Sequence, residues 1–189
     1  MRHLHRNIVL FLIAALIVLS SAVQPASAQQ KPELPVRIGD KAPLFSAKTF
    51  GSKEIKLEDY IGEKNVVLYF YPKDDTPGCT TEACSFRDNM EQITSLNTVV
   101  LGVSVDDVSS HEDFKEKYEL NFPLVSDADQ KIVKMYGVAR ESRNDTIFAN
   151  RVTFLIDKKG IIRHIWNPVK VEGHTEDVLK RIQELKLDK

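Results

Sequence analysis

Cysteine is scarce in this chain: two of 189 residues, Cys79 and Cys84. Two thiols allow at most one intrachain disulfide. They do not fill a zinc shell either, because no histidine lies near them; His111, His164 and His174 are all distant in sequence. Their spacing is not C-x-x-C, which disfavours a thioredoxin-type dithiol. Net charge is nearly absent, −1 overall with the charges mixed along the chain, so composition gives no reason to expect a nucleic-acid partner. There are no internal repeats. The apolar run Ile8–Leu19 stops at twelve residues, short of the about 20 that span a membrane.

That run has another reading. Met1 to Asn7 carries Arg2 and Arg6 with no acid, and small and polar residues after the run end in Ala26-Ser27-Ala28. This pattern predicts a secretory signal peptide over residues 1–28, cut between Ala28 and Gln29. Extending the run through Val23 would instead give an uncleaved anchor. No cysteine near the cut excludes lipid attachment there. Residues 29–35, polar with two prolines, read as a linker, and 36–189 as one domain with a proper core. Loss of Arg2 and Arg6 takes the net charge from −1 to −3. The expected destination is a bacterial periplasm or an equivalent exported space, with no stable membrane partner.

The stretch Tyr69 to Asp88 organises the chain. An apolar run, Val66 to Tyr71, reads as a buried strand. Pro72 ends it, having no N–H for the ladder. After Lys73-Asp74-Asp75, Thr76 suits a helix N-cap and Pro77 the first helical position. Cys79 then falls in the first turn, where unpaired amides and the helix dipole favour a thiolate over a thiol. The Thr76 hydroxyl, three residues upstream, can curl over the same turn.

Pro72, Thr76 and Cys79 fit P-x-x-x-T-x-x-C, and with Cys84 five residues on the segment resembles the active site of peroxiredoxins of the Q type, the bacterioferritin-comigratory subfamily. Ser104 to Asp127, Arg151 to Asp157 and Gly173-His174 extend the likeness over roughly residues 36–187. The resemblance implies a thioredoxin-like fold and a thiol peroxidase acting on hydrogen peroxide and organic hydroperoxides. It needs no metal, haem or flavin. Cys79 would be the peroxidatic nucleophile, passing through a sulfenic acid, and Cys84 the resolving cysteine of an intrachain disulfide. Thr76 would hold the peroxide, Arg151 would supply a fixed charge beside Cys79, and Pro72 would shield the sulfur. A thioredoxin-like dithiol would regenerate the enzyme. A departure falls at Val138 to Asn150, where relatives carry a Gly/Lys-rich hairpin and this chain has Ala139-Arg140-Glu141-Ser142-Arg143-Asn144-Asp145.

Spacing adds an argument of its own. Five residues of α-helix rise roughly 7.5 Å and turn roughly 500°, which sets the two Cα atoms on the order of 8–9 Å apart. A disulfide wants about 7 Å or less. Either the segment is not helical, or it unwinds when the bond forms. Such a bond suits a switch better than a staple, and an intrachain partner removes the need for a dimer, which favours a monomer. The competing readings are a disulfide exchanger and a non-catalytic module held by a structural disulfide.

The remaining pattern predicts an α/β fold, a central mixed sheet with helices on both faces. Phe45–Phe50 and Glu54–Leu57 read as a hairpin, Asn65–Tyr71 as the central strand, and a helix from Cys79 to about Thr94 follows. Val99–Val105 reads as a strand, then a helix capped by Ser109 or Ser110, the strand Phe122–Val125, and a helix opened by Asp127 or Asp129 and stopped at Gly137. Arg151–Asp157 and Ile161–Trp166 read as a hairpin, and a last helix is capped by His174 or Thr175. The three histidines read as surface or capping groups. Arg87, Arg140 and Arg143 rival Arg151 as the site cation.

Overall fold

The computed structural model describes residues 34–187; the expected signal peptide and nearly all of the linker lie outside them. In chain order the elements are β1 (Ser46–Lys48), β2 (Glu54–Lys56), β3 (Asn65–Phe70), α1 (Pro77–Asp88), α2 (Met90–Ser95), β4 (Thr98–Ser104) and α3 (Val108–Lys117). There follow β5 (Leu124–Ser126), α4 (Lys131–Met135), β6 (Ala139–Glu141), β7 (Ile147–Ala149), β8 (Val152–Ile156), β9 (Ile162–Trp166) and α5 (His174–Glu184).

Seven strands form one sheet in the order β2-β1-β5-β4-β3-β8-β9, and β6 and β7 pair separately. The pairs β3–β4 and β4–β5 are parallel; the others are antiparallel. All six residues of β3 are buried, because both faces of the sheet are covered. Its side chains alternate. Val66, Leu68 and Phe70 join Leu101, Val103, Phe154 and Ile156 under α4, which contributes Ile132 and Val133. Val67, Tyr69 and Tyr71 join the opposite core under α1, α2, α3 and α5, with Phe86, Ile93, Phe114 and Ile182. Each such side chain contributes about 1.5–3 kcal/mol on burial. The expected mixed sheet with helices on both faces is the observed one.

The differences lie at helix ends. The helix carrying Cys79 does not run unbroken to Thr94. It breaks at Asn89 (φ −102°, ψ 8°), whose side-chain amide donates to the Ser85 carbonyl at 2.9 Å. A side chain that bonds the preceding turn competes with the helical ladder, and α2 starts afresh. Asp107, not Ser109 or Ser110, caps α3, its carboxylate accepting from the Ser110 amide at 2.9 Å. Gly173, with φ 75°, occupies the N-cap of α5, so His174 and Thr175 are its first helical residues and not its caps. Gln130, at φ 61°, and neither Asp127 nor Asp129, occupies the N-cap of α4, while Asp127 accepts from the first-turn amides of Ile132 and Val133 at 2.9 and 2.8 Å. Gly137 ends that helix at φ +67°, where a Cβ would strike Pro35 at 2.0 Å. Despite its divergent sequence, 139–149 still forms a hairpin, with Asp145 at φ 58° in its turn.

Candidate active site

Antiparallel pairing of β3 with β8 sets Phe70 against Val152 and Tyr69 against Thr153. Carrying that register one step further brings Arg151 beside Tyr71, on the sheet face that α1 covers. Arg151 precedes β8 and does not open it. The two residues meet although 72 positions separate them: Arg151 Nη2 donates to Cys79 Sγ at 3.2 Å. The rival arginines are elsewhere. Arg87 is bonded to the Tyr118 carbonyl and to Asp88, and Arg140 and Arg143 are exposed on the β6–β7 hairpin.

The local chain folds as its residues dictate. Tyr71 still donates its amide to the Val103 carbonyl at 3.1 Å, and Pro72, with none to give, ends the pairing. Thr76 is the N-cap of α1 and Pro77 its first residue, so Cys79 is the third. Thr76 does not cap with its side chain. Its hydroxyl donates instead to the Lys73 carbonyl at 3.0 Å, while its carbonyl accepts from the Thr80 amide at 2.8 Å. The first-turn amides of Gly78 and Cys79 therefore receive no side-chain acceptor and stay available to a bound oxygen. Cys79 is 1% exposed, packed with Tyr69, Tyr71, Ala83 and Phe86. Thr76 and Pro72 are half-buried. Gly78 leaves room for the guanidinium: a Cβ there would lie 3.3 Å from Arg151 Nη2.

Behind the pair lies Glu82, one helical turn after Cys79 and 1% exposed. Its Oε2 accepts from Arg151 Nη1. Its Oε1 is buried without a hydrogen bond and faces His174 Nε2 at 3.9 Å. Burial lifts the Glu82 carboxyl to about 7 against the pull of Arg151. Burial likewise holds His174, which pairs with the Thr153 hydroxyl at 2.9 Å, down at about 4. Burial works against the charge of Arg151 as well, but Glu82 and Cys79 outweigh it and keep the guanidinium's pKa above its usual value. A cation so fixed can stabilise charge on the sulfur and on an oxygen leaving it.

Cys84 lies on the same helix, half-buried, and both cysteines are free thiols. Since α1 is regular across both, the helical spacing keeps them from bonding while it stays helical. Two of the histidines read as surface or capping groups are in fact interior. His174 is 3% exposed and His111 2%, the latter bonded to Asp74 at 2.7 Å. A separate groove of about 780 Å³, lined by residues such as Phe45, Lys48, Asp129 and Met135, includes none of the site residues. Among the described residues no three His, Cys, Asp or Glu side chains gather as a metal site.

A mixed sheet that delivers one cysteine, at a helix start, to a fixed guanidinium is the layout of a protein that does its chemistry with a thiolate. Residues 38–165 match the AhpC/TSA family. Peroxiredoxin Bcp of Bacillus subtilis is 42% identical over 153 residues, covering 79% of this chain and 97% of that one. A PrxQ cysteine-to-serine mutant of Xylella fastidiosa superposes with a TM-score of 0.75 at 39% identity, covering 79% and 97% of the two chains. The bacterioferritin comigratory protein of Xanthomonas campestris, solved in work on its alkyl peroxide reduction activity, gives 0.69 at 34% identity, covering 74% and 90%. The chain belongs to the AhpC/TSA family and is a peroxiredoxin, a peroxidase that works through a cysteine thiol.

Proposed function

We propose that Cys79 is the peroxidatic nucleophile of this enzyme and that Cys84 resolves it. The Cys79 thiolate attacks one oxygen of a hydroperoxide; an S–O bond forms as the O–O bond breaks. Sulfur is oxidised to the sulfenic acid, and the departing oxygen takes a proton to leave as water or an alcohol. The 3.2 Å approach of Arg151 Nη2 to Cys79 Sγ is the observation that carries this reading. Thr76 accepts a hydrogen bond from the peroxide O–H, its own hydroxyl hydrogen being engaged by the Lys73 carbonyl. Pro72 limits water at the sulfur. Glu82 holds the guanidinium in place.

After α1 unwinds, the Cys84 thiolate attacks the sulfenic sulfur; an S–S bond forms and hydroxide leaves, protonated to water. A thioredoxin-like dithiol then reduces the disulfide by two exchanges and is itself oxidised. The substrate class is hydrogen peroxide and organic hydroperoxides, the latter supported by the activity named for the Xanthomonas relative. The enzyme acts as a monomer, since its resolving thiol is on its own helix. The N-terminal pattern supports export to a periplasm, with residues 1–28 removed.

The test is stopped-flow reaction of the reduced protein with peroxide, followed through Trp166, the one tryptophan of the chain, with mass spectrometry of the product. Trp166 packs on His174 at 5.4 Å and is well placed to report movement beneath α5. Cys79→Ser should abolish peroxide consumption. Cys84→Ser should form one equivalent of sulfenic acid and no intrachain disulfide. Retained turnover in the first, or undiminished turnover with a dithiol reductant in the second, overturns the assignment.

A further inference from the structure

The loop between β3 and α1 is bonded more heavily than a surface connection requires. Asp74, at its centre, is 5% exposed. A buried carboxylate is costly unless its oxygens are filled, and here they are. Tyr71 donates its hydroxyl to Oδ1 at 2.7 Å; Ser110 donates to Oδ2 at 2.8 Å, and His111 Nδ1 meets the same oxygen at 2.7 Å. The Asp74 amide donates to Asp106 Oδ2 at 2.9 Å, and that oxygen also accepts from the Ser104 hydroxyl at 2.7 Å. The next residue faces outward. Asp75, at φ 52°, accepts from Lys117 Nζ at 2.6 Å and from the Tyr118 hydroxyl at 2.5 Å.

Two consecutive acids thus bind the loop to both ends of α3. Asp74 grips its first turn, Asp75 its last residue and the one beyond. The loop can neither slide along that helix nor tilt away from it. What it fixes is the Lys73 carbonyl, immediately before Asp74, and through it the hydroxyl of Thr76 at 3.0 Å. A hydroxyl with its hydrogen directed to one carbonyl has its lone pairs directed elsewhere, and small errors of aim at a reacting centre are expensive. None of these partners belongs to α1, so the splint can persist while that helix unwinds.

We propose that Asp74 is a positioning residue for the peroxide reaction: gripped by Tyr71, Ser110 and His111, it splints the β3–α1 loop to α3 and so aims the Thr76 hydroxyl, while taking no part in disulfide formation. The proposal rests on the role given above to Thr76.

The experiment is a double-mutant cycle read by stopped flow, with both steps timed in each variant. Asp74→Ala should slow the peroxide step by roughly 10- to 100-fold and leave disulfide formation within about twofold, the factor by which unrelated sites fail to add. Placed on Thr76→Val, the same change should cost little more, because there is no hydroxyl left to aim. Should Asp74→Ala not fold, Ser110→Ala removes one grip and should show a smaller loss with the same coupling. An Asp74 effect that persists in full on Thr76→Val overturns the splint alone. A Thr76→Val with unchanged peroxide rate overturns the hydroxyl's role and the splint's route through it together. A variant that loses thermal stability yet keeps its peroxide rate also overturns the proposal, since Asp74 is then only structural.

Discussion

Arg151 divides its two terminal nitrogens between Cys79 and Glu82, Nη2 to the sulfur at 3.2 Å and Nη1 to the carboxylate. The sulfur and the carboxylate both belong to α1, three residues apart, whereas Arg151 belongs to the strand side of the site. Helix and sheet are thus joined through one planar group at the Cys79 sulfur. A planar fork can serve two acceptors at once; an ammonium cannot hold the same geometry. Arg151→Lys should therefore keep the charge and still lose roughly 10²-fold in the second-order rate with hydrogen peroxide, the usual effect of removing one oriented donor. The rate of peroxide loss in single turnover checks this. A lysine variant within threefold of the parent would mean that charge alone suffices.

Glu82 gives the pair a pH dependence whose sign can be worked out. Burial raises its pKa from the usual 4.5 to about 7. Its contribution to stability is therefore complete below about pH 4.5 and is lost as pH rises through about 7, on the order of 3 kcal/mol in all. His174 runs the other way. Burial holds it at about 4 where 6.5 is usual, so its contribution is complete above about pH 6.5 and lost as pH falls through about 4. Between about pH 5 and 6.5 the two slopes oppose and nearly cancel, so urea unfolding of the reduced protein should show little change in stability there. Glu82→Gln should remove one of them and leave stability rising with pH over that range. Parallel slopes for the two proteins would show that this carboxyl titrates as a free one.

Gly78 separates stability from activity. It is helical, so alanine there should favour α1 by up to about 1 kcal/mol. Its new Cβ, however, would sit 3.3 Å from Arg151 Nη2, on a guanidinium already held by Glu82. Gly78→Ala should leave the melting temperature equal or higher and slow the peroxide step several-fold. A variant that is both more stable and equally fast would show that the guanidinium has slack.

Much of this site could be read from short stretches of sequence, and the reason is local. Strand, Pro72, N-cap Thr76, Pro77 and Cys79 follow one another within a few residues, and each is specified by its neighbours. The same holds for β3, whose continuous apolar run announces a strand buried on both faces. What sequence did not disclose depends on pairings far apart. His174 reads as a cap until α5 is packed against α1, when it comes to face Glu82. His111 reads as a surface group until the β3–α1 loop folds onto it, 37 residues away. Only family likeness singled out Arg151 from three other arginines; the β3–β8 register is the physical reason, and no local pattern encodes it. The helix caps were misplaced by one to three residues because Asp107 and Gly173 cap with residue types as common as the serines and threonine beside them.

On the proposed resolving step α1 must let go, and the hydrogen bond between Ser85 and Thr175 is one of the ties that hold it. Ser85 follows Cys84 directly, and its hydroxyl donates to that of Thr175, in the first turn of α5, at 2.8 Å. Thr175 is fully buried, so the bond is shielded from water and should contribute about 1 kcal/mol net. If α1 unwinds before Cys84 reaches the sulfenic sulfur, that bond is broken on the way, and its absence lowers the barrier by up to the same amount. Thr175→Val keeps the volume and removes the partner. It should speed disulfide formation by up to about fivefold, as RT converts 1 kcal/mol, while the peroxide step, which leaves α1 intact, stays unchanged. Trp166 fluorescence after a peroxide pulse separates the two phases. Acceleration of both phases would point to a loosened site, and acceleration of neither would mean that Cys84 reaches its partner with this turn of α1 still folded.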